Sequence, residues 1–509
     1  MNVGVLLRRV SEEKGGKEGV IFEDTRLSFS EFNSRVNKLA NAVQNLGIKK
    51  GERAAVILLN SRQYMEIYFA MAKLGVILVT LNYRLVGDEL RYIVDDSTPR
   101  ILFLGEEFFD TILSIRSSLS YIQHYVLLGT RRSIDMMDYE TLLQKYSDSE
   151  PDVDVDVQDD QLIVYTSGTT GKPKGALIPH LNTIWTCIIQ MLFIHDLNEN
   201  DSTLVVAPLY HTGAQNNLII PMFYVGGKIV IMKRVEPNRV VEMIEREGIT
   251  TALLLPTLLH MIFELPNLDD YNLKSLRYVI TGGAPIPEVT IDNFYKRFGF
   301  HLCHGYGLTE STAFTAVLSS EYASQKIGSV GKALFPIEVK IVDSQGREVK
   351  AGEVGEIIQR GPTLMKEYWK NAQATEEVLK NGWLYTGDHG RYDEEGYIYI
   401  VGREKDMIIS GEENIYPAEI EQVLYSHPKI HEAAVIGVPD AKWGESVKAI
   451  VVCKAGEKLT EEEIISYTKE RLASYKKPKF VEFIDKLPRN PSGKVLKEIL
   501  REKYGRQRI

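Results

Sequence analysis

The residues best suited to chemistry lie in one loop, Tyr165-Thr-Ser-Gly-Thr-Thr-Gly-Lys-Pro-Lys-Gly175, directly after the apolar run 162–164. Its glycines let backbone N–H groups approach polyphosphate oxygens. The hydroxyls of Ser167, Thr169 and Thr170 add donors, and Lys172 and Lys174 neutralise charge. A Walker A loop is the obvious alternative, but it needs Gly-x4-Gly-Lys-Ser/Thr at the start of a helix. Here Pro173 follows Lys172, and Thr166 stands where the first glycine is required. The pattern predicts a phosphate loop of another kind.

The elements that must hold this loop are legible as periodicities. Ser28-Phe-Ser-Glu31 is a capping box, and Phe32, Val36, Leu39, Ala40, Val43 and Leu46 trace one face of the helix after it, up to Gly47. Apolar strands are predicted at 54–59, 76–81, 203–208, 228–232, 251–255 and 278–281, with helices between them, one of these over 61–74. Continuous apolar strands alternating with helices imply parallel sheets covered on both faces. From about residue 327, short strands separated by Gly turns predict a small β-rich subdomain. Beyond 402–406 come a helix opening at Pro417, strands at 433–438 and 446–453, and a helix capped by Thr460-x-x-Glu463.

Composition bounds the function. At 509 residues the chain exceeds what a single core of about 250–300 residues supports, so at least two domains are expected. A net charge of -9 without a concentrated basic face argues against a nucleic-acid partner. Cys187, Cys303 and Cys453 are too sparse for a metal site or disulfide framework and suit a cytoplasmic setting. No N-terminal signal pattern is present, and the greasiest stretch, 67–81, carries Lys73 and Gly75 and is too short for a membrane span.

Six further motifs follow the loop in order: Pro208-Leu-Tyr-His211, Gly282-Gly-Ala-Pro285, Gly305-Tyr-Gly-Leu-Thr-Glu310, Tyr385-Thr-Gly-Asp388, Gly402-Arg-Glu-Lys-Asp406 and Pro488-Arg-Asn-Pro-Ser-Gly-Lys494. With the loop, this set resembles the acyl-adenylate-forming family of acyl-CoA synthetases, luciferases and peptide-synthetase adenylation domains. The resemblance implies an α/β fold. Its large N-terminal domain, 1–404, has doubly wound sheets and the small β-rich subdomain; a smaller mobile α+β lid spans 405–509.

It also implies roles. ATP would lie on Thr166, Ser167, Gly168, Thr169, Thr170 and Lys174, with adenine against Gly283, Ala284 and Pro285 and stacked on Tyr306. Asp388 would hold the ribose hydroxyls, with Arg403 reaching ribose or phosphates. Glu310, with Thr170, would hold Mg²⁺, since that hard ion takes a carboxylate or two plus phosphate oxygens. Thr309 and Glu310 belong to the catalytic motif, as does Lys494, which would touch the substrate carboxylate and α-phosphate. His211 would shape the acyl pocket, and no acidic residue lies between 204 and 223 to hold a substrate ammonium. Lys405 would be the hinge. Ser410, Gly411 and Glu412 would line the coenzyme A tunnel, where Glu412 replaces the family's usual glycine.

The expected activity is ATP-dependent conversion of a fatty, alicyclic or aromatic carboxylic acid to acyl-AMP, then transfer to coenzyme A. Loading of a separate carrier protein, a luciferase-like reaction and an ATP-hydrolysing regulator are the alternatives. The sequence ends fifteen residues after Lys494, which speaks against a fused carrier domain. Oligomeric state stays open, a homodimer included.

Overall fold

The computed structural model describes residues 2–505, apart from 167–171, 194–195, 284–285, 287, 301, 313, 411–412, 441 and 490–494. Among the described residues, the N-terminal domain contains a nine-stranded and an eight-stranded sheet. Their centres are parallel: Arg53–Ile57 lies between Ile77–Thr80 and Ile101–Gly105, and Thr251–Leu253 between Ser202–Val205 and Tyr278–Gly282. Antiparallel pairings appear toward most of the edges, a departure from a purely parallel expectation, while Met137–Asp138 adds in parallel at one end of the eight-stranded sheet.

Side chains that alternate along these strands enter different cores. Val20 and Phe22 face the layer between the sheets, while Ile21 faces the outer helices. Ala54 and Val56 point inward, and Ala55 and Ile57 outward. Both faces are covered, so the strands read as unbroken apolar runs. The central layer holds the helices Phe29–Asn45, Arg62–Leu74 and His180–Phe193. There Phe223 packs against Phe29, Phe32 and Phe69 at ring separations of 6.1, 5.6 and 4.6 Å. The predicted capping boxes form: Glu31 N donates to Ser28 Oγ at 3.3 Å and Ser28 N to Glu31 Oε2 at 2.8 Å.

Strand ends differ from the predicted ones where the chain must leave a sheet. The run predicted to reach 208 stops at Val205, because Pro208 has no N–H for a ladder. Asn60 seizes the segment instead: its Nδ2 donates to Ala207 O at 3.0 Å, and its Oδ1 accepts from Leu209 N at 2.8 Å. The run predicted to reach 255 stops at Leu253, and Leu255 caps the helix Pro256–Phe263.

A five-stranded antiparallel sheet, including Gly355–Arg360, Trp383–Tyr392 and Ile398–Arg403, forms the predicted β-rich subdomain. The smaller C-terminal domain carries its own five-stranded sheet, centred on Ile430–Asp440 and Gly444–Cys453, with helices Pro417–Tyr425, Glu461–Lys469 and Lys497–Tyr504. No helix among the described residues is long and apolar enough to cross a membrane.

Neighbouring strands Tyr278–Gly282 and Cys303–Gly307 meet glycine to glycine, Gly282 opposite Gly305. A Cβ on Gly282 would lie 2.4 Å from the Gly305 carbonyl oxygen, with the Phe314 ring as its next neighbour. The glycine is there so that these strands, which deliver Gly283 and Tyr306, can approach. Gly282→Ala is therefore expected to destabilise the protein by about 1–3 kcal/mol, the usual cost of forcing atoms into a packed core. Chemical denaturation with an unchanged slope would measure it, and wild-type stability would refute the packing role.

Candidate active site

The phosphate loop joins two antiparallel strands, Asp160–Thr166 and Lys174–Pro179, with Thr166 opposite Lys174. It turns a hairpin and does not open a helix, which is the structural reason it departs from Walker A. A third segment lies along this hairpin: Glu367 and Tyr368 pair with Leu177 and Ala176. The pairing carries the Tyr368 hydroxyl to Glu310, where it donates to Oε1 at 2.8 Å; Thr166 Oγ1 donates to the same oxygen at 3.4 Å. Burial and the Glu310 charge raise the Tyr368 hydroxyl above its ordinary pKa, so it remains a donor. Lys174 Nζ lies 5.3 Å from the centre of the Tyr368 ring. One carboxylate, two hydroxyls and an ammonium thus converge at the base of the loop.

Glu310 sits in a short 3-10 turn, Thr309–Ser311, closed by Leu308 N donating to Ser311 Oγ at 3.0 Å. The next residue, Thr312, has φ +64°, uncommon for a β-branched side chain. Its hydroxyl donates to Thr363 O at 2.7 Å and accepts from Asn182 at 3.4 Å. Such strain persists where surrounding bonds over-determine the backbone, commonly at working sites. The hard oxygen donors of Glu310 and its hydroxyl neighbours fit Mg²⁺, which prefers a carboxylate or two and keeps its remaining positions for water and phosphate.

Asp388 is 3 % exposed. Its Oδ2 accepts from the Tyr306 hydroxyl at 2.8 Å, and its Oδ1 lies 2.9 Å from Arg403 Nε. Residues 388 and 403 face each other across paired strands, while Tyr306 arrives from the nine-stranded sheet. Burial and the neighbouring carboxylate push the Tyr306 hydroxyl well above its ordinary pKa, keeping its proton on the bond to Asp388. The structure therefore joins three residues that the sequence presented separately. Each carboxylate oxygen has two lone pairs and retains capacity for a further donor.

His211 ends the Pro208 segment, its ring 4.3 Å from Tyr210, which meets Tyr83 at 5.0 Å. Desolvation, with Arg84 nearby, pushes the His211 imidazole down to about 4, so it is neutral at pH 7. A π-helix, Gln215–Ile219, follows; such turns recur at functional sites. Tyr210 Oη, His211 Nε2, Asn216 Nδ2 and Asn217 Oδ1 are buried with no hydrogen-bond partner among the described residues. Phe223, a little further on, belongs to the aromatic core between the sheets.

Beside this region a cleft of about 890 Å³ separates the two domains. Arg84, Lys233, Arg234, Lys486, Arg489 and Lys503 line it, and no carboxylate does among the described residues.

Gly283 has φ +79°, which a glycine adopts freely. Lys405 is exposed in the 3-10 turn Glu404–Asp406, and Asp406 is bound by Arg501 at 2.9 Å. Ser410 pairs with Glu413 and Gly444. Lys494, Ser167, Gly168, Thr169, Thr170, Ala284, Pro285, Gly411 and Glu412 lie outside the described residues. Sequence reasoning missed Asn60, Arg84 and Tyr368. The first two had one signal, their place just beyond the carboxyl ends of parallel strands, where open α/β sheets bind ligands. Tyr368 had none.

The family profile described as AMP-binding enzyme matches residues 7–369, and that of the AMP-binding enzyme C-terminal domain matches 419–494. A feruloyl-CoA synthase from an Amycolatopsis species is 38% identical over 481 residues, 94% of this chain and 94% of that protein. An indoleacetate–CoA ligase of Aromatoleum aromaticum is 38% identical over 493 residues, 97% of this chain and 96% of its own. Among solved structures, an anthranilate CoA ligase in complex with anthranoyl-AMP superposes with a TM-score of 0.92 at 28% identity, covering 99% of this chain and 97% of that one. With these matches spanning nearly its whole length, and with a carboxylate, hydroxyl and lysine cluster at its phosphate loop, the chain belongs to the acyl-adenylate-forming AMP-binding enzymes and is an AMP-forming acid:CoA ligase.

Proposed function

We propose that this ligase activates an uncharged, aryl-bearing carboxylic acid with polar ring substituents, through acyl-AMP, and passes the acyl group to coenzyme A. One observation carries the choice of acid. The stretch 204–223 has no Lys, Arg, Asp or Glu, its histidine is held neutral, and five buried polar atoms between 210 and 217, Gln215 Oε1 among them, lack partners among the described residues. Buried polar groups favour a ligand that offers them hydrogen bonds and penalise a plain alkyl chain that leaves them unpaired. Relatives whose names denote feruloyl and indoleacetate substrates support the same class.

In the first half-reaction the substrate carboxylate attacks the α-phosphorus of ATP and pyrophosphate leaves. The chain's task is alignment and charge compensation. Ser167, Gly168, Thr169 and Thr170 of the loop, with Thr166 and Lys174 at its base, would cradle the phosphates. Gly283, Ala284, Pro285 and Tyr306 would hold adenine, and Asp388 the ribose, with Arg403 and Tyr306 keeping its carboxylate oriented. Mg²⁺, held by Glu310 with help from Thr170, would supply Lewis-acid charge compensation. Thr309 sets the turn that presents Glu310, and His211 shapes the acyl pocket without moving a proton.

Lys494 would bring its ammonium between the two anions as they close. The lid would then rotate about Lys405, placing the domain boundary at 404/405, so that a thiol can enter past Ser410, Gly411 and Glu412. The cleft lined by six cations supports a polyanionic acceptor such as coenzyme A, whose phosphates those side chains would neutralise.

A panel of hydroxycinnamates, arylacetates, benzoates and alkanoates, assayed for CoA-dependent AMP release, tests the acid class. Aryl acids are expected to exceed alkanoates at least about tenfold in kcat/KM, a difference of ~1.4 kcal/mol in transition-state binding. Faster turnover of alkanoates would overturn the assignment. The role of Lys494 is tested separately. Lys494→Ala should lower pyrophosphate release by about 10²–10³, the scale of losing one preorganised electrostatic group. Thioester formation from synthetic acyl-AMP and CoA should stay near wild type, and equal loss in both half-reactions would count against it.

A further inference from the structure

Away from the active site, the two domains touch through His260, Glu264 and His431. His260 lies on the helix Pro256–Phe263 and Glu264 just after it, one helical turn on, so both project from the same face of the N-terminal domain. His431 lies on the strand Ile430–Asp440 of the C-terminal domain. The atoms His260 Nε2, His431 Nδ1 and Glu264 Oε1 form a triangle with sides of 3.4, 3.3 and 3.7 Å: His260 to His431, His260 to Glu264, and His431 to Glu264.

A tetrahedral zinc with bonds of ~2.0–2.1 Å spaces its ligand atoms ~3.3–3.4 Å apart. The triangle thus has very nearly the dimensions of one face of that coordination shell. Two imidazoles and a carboxylate are also the donors zinc prefers and magnesium does not. The side chains are 42%, 53% and 32% exposed for His260, Glu264 and His431, so a metal ion can reach them from solvent.

We propose that His260, Glu264 and His431 form a site for a zinc-class divalent cation that bridges the two domains, with a fourth position left for water. A metal held by ligands from both domains binds only when they are docked as here, so by linkage it favours this arrangement. If turnover requires the lid to rotate, as in the function proposed above, zinc at this site slows it.

The test uses the full-length enzyme and zinc itself, with Co²⁺ as the spectroscopic probe. Titration calorimetry is expected to give one Zn²⁺ per chain, and Co²⁺ to show the intense visible bands of a tetrahedral site. His431→Ala and Glu264→Gln should each weaken binding at least about 100-fold, beyond the 10–100-fold typical of removing an outer-shell partner. Both variants should keep wild-type turnover in metal-free buffer, since neither residue touches the substrates. Zn²⁺ binding that is equal in wild type and both variants, or absent from wild type, would overturn the site. With saturating MgATP, Zn²⁺ should inhibit wild type but not His431→Ala. Stoichiometric binding that is lost in both variants but leaves wild-type turnover unchanged would uphold the site and overturn the rotating lid.

Discussion

A carboxylate removed from water must be paired, and Asp388 is the place where that requirement ties this molecule together. It lies on the β-rich subdomain. Its hydroxyl partner, Tyr306, comes from the nine-stranded sheet, and its cationic partner, Arg403, ends the last strand before the C-terminal domain. Removing Arg403 would leave a buried charge without its counter-ion, and removing Tyr306 would cost that charge a hydrogen bond, so the three segments hold one another in register. Lys405 follows Arg403 by two residues. The ion pair thus fixes the end of the last strand before the C-terminal domain.

Glu310 works by the same logic at lower burial. The hairpin supplies Thr166, the added strand supplies Tyr368, and a strained Thr312 fixes the turn between them. Strain at Thr312 is sustained by Asn182 and the Thr363 carbonyl, both far away in sequence. The local cost at one residue is offset by bonds drawn from two other elements, which gives the carboxylate a defined position before any ligand arrives.

The domain interface divides into two kinds of surface. One is the cleft lined by six cationic side chains, of which Lys233 and Arg489 pair with Glu107 and Glu432. The other is made of specific contacts, the two imidazoles of His260 and His431 beside Glu264. The first sets cationic side chains of both domains around open space, and the second joins the domains through specific polar contacts.

The periodicities alone pointed to the helix after the Ser28 capping box, the helix over 61–74, the parallel strands and the capped helix after Thr460, because local sterics and two-sided burial are written in neighbouring residues. The ordered motifs likewise determined the family. What the sequence could not decide were the partnerships. Tyr368 meets Glu310 across 58 positions, Asn60 clamps Ala207 and Leu209 across nearly 150, and His431 meets His260 across 171. No local periodicity records such pairings, since hydrogen bonds and ion pairs between distant segments exist only once the sheets have stacked. Gly282 shows the same division: its lack of a side chain is visible in the sequence, but the Gly305 carbonyl that requires it belongs to the neighbouring strand.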